Sequence, residues 1–497
     1  MSANILSPAE RHELTTIPNE INDIDLVRFF KLSSVDFSII DPRQRPSYRF
    51  DQAAHICILR WLGWSPVILD KLPETVHIIL CQQLCIEISE LNSQPPAART
   101  SRRHAENARK HLEWNKYSPE MGCELTKWLI PLAEEQDQGS VLFHVLCSRL
   151  YQENVVRPGL AYLERLVESV RTSVRERIAQ EVNSKLTLEQ KNNLDEMLIV
   201  QPGETMSHFQ YFKETPKRAS GNELIEVLGK IKSIRNLHLP NLTLKEGTIH
   251  PNRVKLLARR AKQRTIWTAA QLRPQQRYPL LVCFMDQAMH DYVDLAVTIY
   301  IETIKSIFQR AETKRDNETV ERGKSLNDKV LILSRLAHLI LDENGVPDAD
   351  LRQAIYRLVS RDHLVHTAHE CDEIAQPADY NPRKFAARSY SYLRHFVPHF
   401  LDVIRFQTEE KDHPLLEAIQ FMQKVEHDQQ AFEQPPLQFI PWRWKTYVVD
   451  KDKVVNRQMY ELCLHDSIVK GIEHGELWVP DSRIFTSFKR DWISDDA

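Results

Sequence analysis

Glycine is scarce in this chain, which contains 12 glycines in 497 residues. Sheet-rich folds need glycine at tight turns, and nucleotide-binding folds need it in the loops that hold phosphate groups. Long stretches of the chain instead repeat apolar residues at helical spacing, with charged residues between them. The hydrophobic fraction of 42% is ordinary for globular proteins, so each part can bury a core. The sequence therefore predicts an all-α, multidomain helical protein.

The first segment, residues 1–92, has the pattern of several short helices joined by polar turns. It opens with a capping box at Ser7 and Glu10, and residues 47–62 repeat apolar residues at helical spacing. Such a group is typical of a helix-turn-helix-like DNA-binding module, and also of a small helical bundle with another role. The DNA-binding candidates of this module are the basic residues around the start of its longest helix: Arg43, Arg45 and Arg49.

The second segment, residues 93–202, begins at a proline-marked break. Its first helix carries basic residues close to Trp114 and Tyr117, an arrangement that can bind phosphates and stack on sugar or base. A surface helix with a solvated basic face has the same pattern, so both interpretations stay open. We predict a second helical DNA-binding module in tandem with the first. Its candidates are Arg99, Arg102, Arg103, Arg109 and Lys110.

The third segment, residues 203–277, is strongly basic within a chain whose net charge is only −3. Residues 207–277 contain 15 Lys and Arg residues against four acidic ones. An excess of this size indicates an anionic partner, and a helix with this pattern can neutralise phosphates along a duplex. We predict a basic helical DNA-binding or connector segment, and favour nucleic acid over an unoccupied basic face. Its densest run supplies Arg253, Lys255, Arg259, Arg260, Lys262 and Arg264.

The fourth segment, residues 278–433, begins with a long apolar stretch that predicts one long helix or a bent pair. Long apolar helices outside a membrane pack against each other or against a partner chain. Further helices are predicted at Ser325–Asp342 and Pro347–Val359. We therefore predict a helical body that contains a dimerisation region.

The fifth segment, residues 434–497, combines a helix with a small C-terminal β-hairpin. The helix is predicted at Val455–His474, and Gly475 follows it as a left-handed stop. Two short strands, Glu476–Pro480 and Arg483–Phe488, then flank a turn. This arrangement is typical of a linker that connects a binding module to a neighbouring domain.

No catalytic motif is visible in the sequence, which has no nucleophile elbow, no P-loop and no dinucleotide-binding glycine pattern. Three histidines and a cysteine do lie close together: His363, His366, His369 and Cys371. These residue types suit zinc, but zinc sites normally draw their ligands from two separate segments, and no Cys-x-x-Cys partner exists. We expect surface or interface histidines, with no catalytic residue, no metal and no cofactor.

Four stretches, in order along nearly the whole chain, carry a family pattern. The first comprises LSPAERHEL, FFKLSSVDFSII and RFDQAAHICILRWLGW, the second is NVVRPGLAYLERLVESVR, and the third is RYPLLVCFMDQAMHDYVDLAV. The fourth and most specific is FIPWRWKTYVVD followed by RQMYELCLHDSIVKGIEHGELWVPDSRIF. On these stretches the chain resembles the transposases of the replicative class II (Tn3 family) bacterial transposons.

The resemblance implies tandem helical DNA-binding domains that recognise the terminal inverted repeats of a transposon, followed by a dimerisation region. It also implies a catalytic domain of RNase H fold, whose Asp-Asp-Glu triad needs a divalent metal such as Mg. In the family that domain begins shortly after the hairpin that corresponds to Trp478–Arg483, and this sequence ends at Ala497. The expectation is therefore a DNA-binding portion that is catalytically incomplete as given and is not itself an enzyme.

The expected partners are double-stranded DNA carrying the inverted repeats, a second copy of the chain, and a full-length or catalytic transposase chain. Scattered cysteines, the lack of a signal peptide and the lack of a membrane-length apolar run predict the bacterial cytoplasm, in association with the nucleoid. Two alternatives are half of a split transposase and a regulator that inhibits transposition by occupying transposon ends. A helical scaffold without a DNA role is the remaining alternative.

Overall fold

The computed structural model describes residues 5–18, 20–66, 72–91, 96–216, 218–240, 249–342, 345, 347–374, 382–410, 412–427 and 431–488. Its regular structure is almost entirely helical, which confirms the all-α prediction. The first helices are α1 (Pro8–Thr15), α2 (Asp23–Phe29), α3 (Ser34–Ile39), α4 (Pro46–Leu62), α5 (Glu74–Leu84), α6 (Ile88–Leu91), α7 (Ala98–His111), α8 (Pro119–Glu135), α9 (Gly139–Gln152), α10 (Leu160–Lys185) and α11 (Leu188–Glu196). The following elements are α12 (His208–Tyr211), α13 (Gly221–Asn236), α14 (Pro251–Gln263), α15 (Ile266–Ala270), α16 (Pro274–Leu341), α17 (Leu351–Leu358), α18 (Arg361–Ile374), α19 (Pro382–Ala386), a 3-10 helix (Ala387–Ser389), α20 (Tyr390–Val403), β1 (Gln407–Thr408), α21 (Pro414–His427), α22 (Trp442–Val448), α23 (Arg457–Glu473) and β2 (Leu477–Trp478).

The chain divides into two compact units. Unit 1 comprises Met1–Glu196 and Pro240–Phe284, and unit 2 comprises Met197–Leu239 and Met285–Ala497. The segment 203–277, which the sequence presents as one basic stretch, is shared between them. Within it, α13 packs on α20 in unit 2, whereas α14 packs on α8 in unit 1. The finer division into five segments stays a prediction.

Helix α4 forms the core of the N-terminal part of unit 1. Every residue from Phe50 to Leu59 is buried, because α2, α5, α6 and α7 all pack around this helix. The capping box at Ser7 and Glu10 is confirmed, and Ser33 caps α3 in the same way. Because α4 is buried on all sides, it cannot lie in a DNA groove. Helix α7, which lies at the surface, is better placed to contact DNA.

The second half of unit 1 is built on α10. This helix packs on α8 and α9 through an apolar row that includes Leu163, Val167 and Val170. Helix α14 packs on α8 as well. Helix α10 is amphipathic and continues to Lys185.

Unit 2 is centred on the part of α16 that begins at Met285. Its residue Tyr300 is fully buried, stacks on Phe400 of α20 at 3.9 Å between ring centroids, and bonds through its hydroxyl to His465 Nδ1 of α23 at 2.9 Å. The helix runs without interruption from Pro274 to Leu341, so the predicted separate helix at Ser325–Asp342 is its last part. The intervening stretch is rich in Glu, Lys and Arg, which are strong helix formers.

The predicted hairpin near the C-terminus is wrong in its pairing. Strand β2 pairs antiparallel with β1, with Gln407 opposite Trp478, and after β2 a backbone hydrogen bond from Val479 N–H to the Phe485 carbonyl, at 3.0 Å, crosses the predicted turn. The stretch predicted as the second strand bends instead, because its backbone N–H groups bond to side chains. The Asp294 carboxylate accepts from Arg483 N–H at 3.1 Å, and the Ser482 hydroxyl accepts from Phe485 N–H at 2.7 Å.

The helix before this sheet matches its prediction closely. Helix α23 is capped by the Asn456 side chain, and Gly475 after it has a φ of 71°, the left-handed stop that was expected. Among the described residues, no helix is long and apolar enough to cross a membrane.

Candidate nucleic-acid interface

Helix α14 has one buried face and one basic face. Pro251 stands in its first turn, and small or branched apolar side chains at Val254, Ala258 and Ala261 form the buried face. On the other side Lys255, Arg259 and Lys262 are exposed, and their spacing of four and three places them along one face. None of the three has an acidic partner within the described part of the chain. This basic row is therefore available to an anion.

Arg253 has a different position from the one predicted. Its side chain is buried, its Nη1 lies 2.7 Å from Asp137 Oδ1, and it donates a hydrogen bond to the Ala133 carbonyl. Arg260 also reaches this carboxylate, with Nη2 2.6 Å from Asp137 Oδ2, but it remains partly exposed. The sequence groups both residues with the surface cations. The fold instead commits Arg253 to a buried ion pair that attaches α14 to the end of α8.

Asp137 is the centre of a larger group, which we call the Asp137 cluster: Asp137, Arg171, Arg175, Arg253 and Arg260. Arg175 Nε and Nη2 donate to the two carboxylate oxygens at 3.0 and 3.1 Å, and Arg171 Nε donates to the Asp137 carbonyl at 2.9 Å. Burial alone would raise the pKa of Asp137, but the hydrogen bonds and charges of Arg175 and Arg253 hold that pKa well below its usual range.

Helix α7 has the second basic surface. Ser101, His104 and Ala108 face the core. The exposed positions include four of the five candidates of this helix: Arg99, Arg102, Arg103 and Lys110. The fifth, Arg109, is half-buried and pairs with Glu106 at 2.8 Å. The basic helix predicted here therefore exposes most of its charge.

A cleft of about 380 Å³ opens beside α7. It brings the predicted Arg102 and Arg109 together with Lys116, Tyr117 and Arg157. Glu106 is the acidic residue in its lining, so the cleft carries a net positive charge. Arg157 is the member that sequence reasoning missed, because it is a single basic residue far along the chain and no local pattern marks it.

The three candidates near α4 separate into two kinds. Arg43 and Arg45 are exposed in the turn that precedes the helix. Arg49 is half-buried, and its Nη2 donates to the Leu84 carbonyl at 2.7 Å, which joins α4 to the end of α5. The remaining candidate, Arg264, caps the C-terminus of α14 and is half-exposed. Arg49 is thus better placed to support the fold than to contact a ligand.

A buried polar network fixes α7 on α4. Asp51 accepts from Ser101 Oγ at 3.0 Å and from His104 Nδ1 at 2.7 Å. Because the Ser101 hydroxyl donates to Asp51, His55 Nε2 must donate to Ser101 Oγ, at 2.8 Å, and His55 Nδ1 accepts from Ser65, at 2.5 Å. His55 is therefore held neutral between two hydroxyl groups.

This network predicts a pH-dependent stability. Burial lowers the pKa of His55 to about 4, with the nearby Asp51 opposing that shift, against 6.5 for an ordinary histidine. The unfolded chain therefore takes up a proton that the folded chain does not, and stability falls as the pH drops from 6.5 towards 4. The expected loss from this group is about 3 kcal/mol at pH 4. Denaturant midpoints of the wild type and His55→Gln between pH 7 and pH 4 measure it, and parallel curves would contradict the assignment.

The histidine group does not form a site in the structure. His363, His366, His369 and Cys371 all lie exposed on α18, and His366 Nε2 is 3.4 Å from Glu370 of the next turn. Among the described residues, no group of three or more His, Cys, Asp or Glu side chains is placed to hold a metal ion.

Both basic helices lie in stretches of the chain that are similar to known proteins. A family model described as a domain of unknown function (DUF4158) matches residues 5–170, the part that contains α7 and its cleft. The transposase for transposon Tn21 from Escherichia coli is 27% identical over 98% of this chain. The chain is thus similar along almost its whole length to transposases of the Tn3 family. The transposases for Tn501 from Pseudomonas aeruginosa and Tn1546 from Enterococcus faecium are 24% and 23% identical over 97% and 99% of the chain.

The relationship to the Tn3-family transposases confirms the resemblance found in the sequence motifs. The chain spans about half the length of the curated relatives it matches, at 49% for Tn501 and Tn21 and 50% for Tn1546. Helix α14 lies outside the matched domain of unknown function but within the stretch shared with the transposases.

Proposed function

We propose that this chain is a DNA-binding part of a Tn3-family transposase, and that it recognises the terminal inverted repeats of a transposon through α7 and α14. The observation that carries the proposal is the basic row Lys255, Arg259 and Lys262, which has no acidic partner within the described residues. Three exposed cations along one helix face can neutralise phosphates of a duplex. Relatives that are named as transposases supply independent support.

The two helices have different tasks in this proposal. The α14 row contacts the phosphate backbone, which gives affinity without sequence preference. Helix α7 supplies exposed arginines, the side chains that most often read guanine in the major groove through paired hydrogen bonds. The cleft beside it adds Tyr117, whose ring can stack on a sugar or base next to the cations of Lys116 and Arg157.

A double substitution tests whether α7 recognises the base sequence. We expect Arg102→Gln with Arg103→Gln to reduce the preference for an inverted-repeat duplex over a scrambled duplex by about 10-fold or more, because a lost bidentate base contact costs about 1–3 kcal/mol of discrimination. Fluorescence anisotropy with the two duplexes at one salt concentration gives the ratio. Lys110→Gln on the same helix is the matched control. If the ratio of the two affinities is the same in the double variant and the wild type, then α7 does not contribute to sequence recognition.

We propose further that unit 2 associates with a second copy of the chain through the last third of α16. Leu326, Val330, Leu333 and Ile340 are between 41% and 66% exposed, and their spacings of four, three and seven residues place them on one seam of a heptad repeat. Ile332, Leu336 and Leu339, on the neighbouring face of the helix, are half-buried. An apolar row of this length is covered most readily by the same row of another copy, in a two-fold arrangement.

Loss of self-association is the expected result of placing charge in this seam. Val330→Lys with Leu333→Lys removes two apolar side chains from each copy, worth together about 6 kcal/mol at ~1.5 kcal/mol each. Sedimentation velocity should therefore show a dimer for the wild type and a monomer for the variant at micromolar concentration. Ile24→Lys with Val27→Lys changes two apolar residues of α2 that are even more exposed, and it should leave the dimer intact. A wild-type monomer at these concentrations would contradict the proposal.

A further inference from the structure

The Asp137 cluster holds more positive charge than its carboxylates can balance. Four arginines meet Asp137, and the second acid nearby is Glu168, which lies 2.5 Å from Arg171 and 3.6 Å from Arg175. The contacts of Arg175, Arg253 and Arg260 occupy both oxygens of the Asp137 carboxylate from several directions. The cluster therefore keeps an excess of two positive charges in a small volume, where like charges repel unless another anion joins them.

The cluster also has hydrogen-bond donors to spare. Each guanidinium offers five N–H groups, and Arg260 uses one of them on Asp137. The buried Nε of Arg253 has no hydrogen-bond partner among the described residues. Arg175 and Arg260 are 38% and 41% exposed, so their remaining donors are open to solvent. The buried groups of the cluster hold the arginine side chains in position. The exposed guanidinium groups of Arg175 and Arg260 present planar forks of N–H donors, which are suited to binding phosphate oxygens.

We propose that the Asp137 cluster is a binding site for a phosphate group, in which Arg175 and Arg260 contact the phosphate oxygens and Asp137 holds them in place. A single deeply buried carboxylate orients the arginines and leaves the cluster positive, so that it prepares the site and does not compete with the ligand. The phosphate comes from the DNA backbone if the proposed function is correct, and that choice of source rests on it. Free phosphate shares the same chemistry.

A purely structural cluster makes a different prediction. If the arginines only attach α14 to α10 and to the loop after α8, their reactivity is the same with and without a phosphate-bearing ligand. Chemical modification of the wild-type full chain separates the two cases without any substitution. Phenylglyoxal reacts with exposed guanidinium groups, and mass spectrometry reports the extent at each arginine.

The experiment has two arms, a 30-base-pair duplex and inorganic phosphate. Arg177 of α10 serves as the internal control, because it is 54% exposed and pairs with Glu134 instead of Asp137. Protection of Arg175 and Arg260 by about fivefold or more in the duplex arm, with Arg177 unchanged, supports a DNA phosphate site. Protection by phosphate alone supports an anion site while the proposed function fails. If Arg175 and Arg260 are modified to the same extent in both arms as in the ligand-free protein, the inference is overturned, whether or not the duplex binds.

A variant checks the result by a second route. Arg175→Gln removes both the charge and the planar fork, and Arg177→Gln is its matched control. We expect the logarithmic salt dependence of duplex binding to become shallower by about 0.9 for the first variant, the value of one lost phosphate contact. An unchanged slope together with a lowered melting temperature would assign Arg175 to the structure alone.

Discussion

Replacing Lys255, Arg259 and Lys262 together by glutamine should weaken duplex binding about 100-fold at 0.15 M salt. Each phosphate contact contributes about 0.9 to the logarithmic salt slope, so each lost contact costs about fivefold at this salt concentration, and the three act together. The slope itself should fall by about 2.7. The three side chains point away from the buried face of α14, so the fold should not change. Anisotropy titrations at several salt concentrations measure both quantities.

A control of equal charge makes this result specific. Lys445, Lys451 and Lys453 of unit 2 are also exposed, and their replacement by glutamine lowers the net charge by the same amount. If this second triple variant weakens binding as much as the first, the effect reflects overall charge and not the α14 row. A wild-type affinity in the α14 variant would remove this helix from the interface.

Asp137→Asn should produce a large loss of stability in unit 1. The carboxylate is 1% exposed and neutralises the buried Arg253, so the variant leaves that guanidinium without a counter-charge. Removing one partner of a buried ion pair typically costs about 3–5 kcal/mol. We expect a loss of this size in the free energy of unfolding of unit 1, measured by urea denaturation at pH 7.

Glu134→Gln is the matched comparison, because Glu134 also pairs with an arginine of α10 but on the surface. An exposed pair contributes at most about 1 kcal/mol. If both variants lose the same small free energy of unfolding, then Asp137 does not anchor α14. In that case Asp137 also does not hold the arginine cluster in a fixed geometry.

The sequence was sufficient for features that depend on neighbouring residues. The helical class, the capping box at Ser7, the stop at Gly475 and the exposed cations of α14 all follow from spacing over a few residues. In each case one turn of chain decides the outcome. These features were predictable because the helical period alone separates a buried face from a solvent face.

Features that depend on distant partners were not predictable in the same way. Arg253 belongs to a dense basic run, and only the position of Asp137, far away in the chain, shows that it is buried. Strand β2 similarly pairs with residues about seventy positions earlier, whereas the local turn signal favoured a hairpin. Arg49 is committed to the Leu84 carbonyl, which no local pattern indicates. In all three cases a residue that is distant in the sequence determines where the side chain or strand lies.

Titration of the wild-type protein tests most directly whether this chain binds transposon ends as duplex DNA. A duplex that carries the terminal inverted repeat and a scrambled duplex of equal length are each titrated between 0.05 and 0.3 M salt. We expect tighter binding of the repeat, by about 1,000-fold or more, together with a steep loss of affinity as salt increases. Equal affinity for both duplexes with a flat salt response would contradict the account.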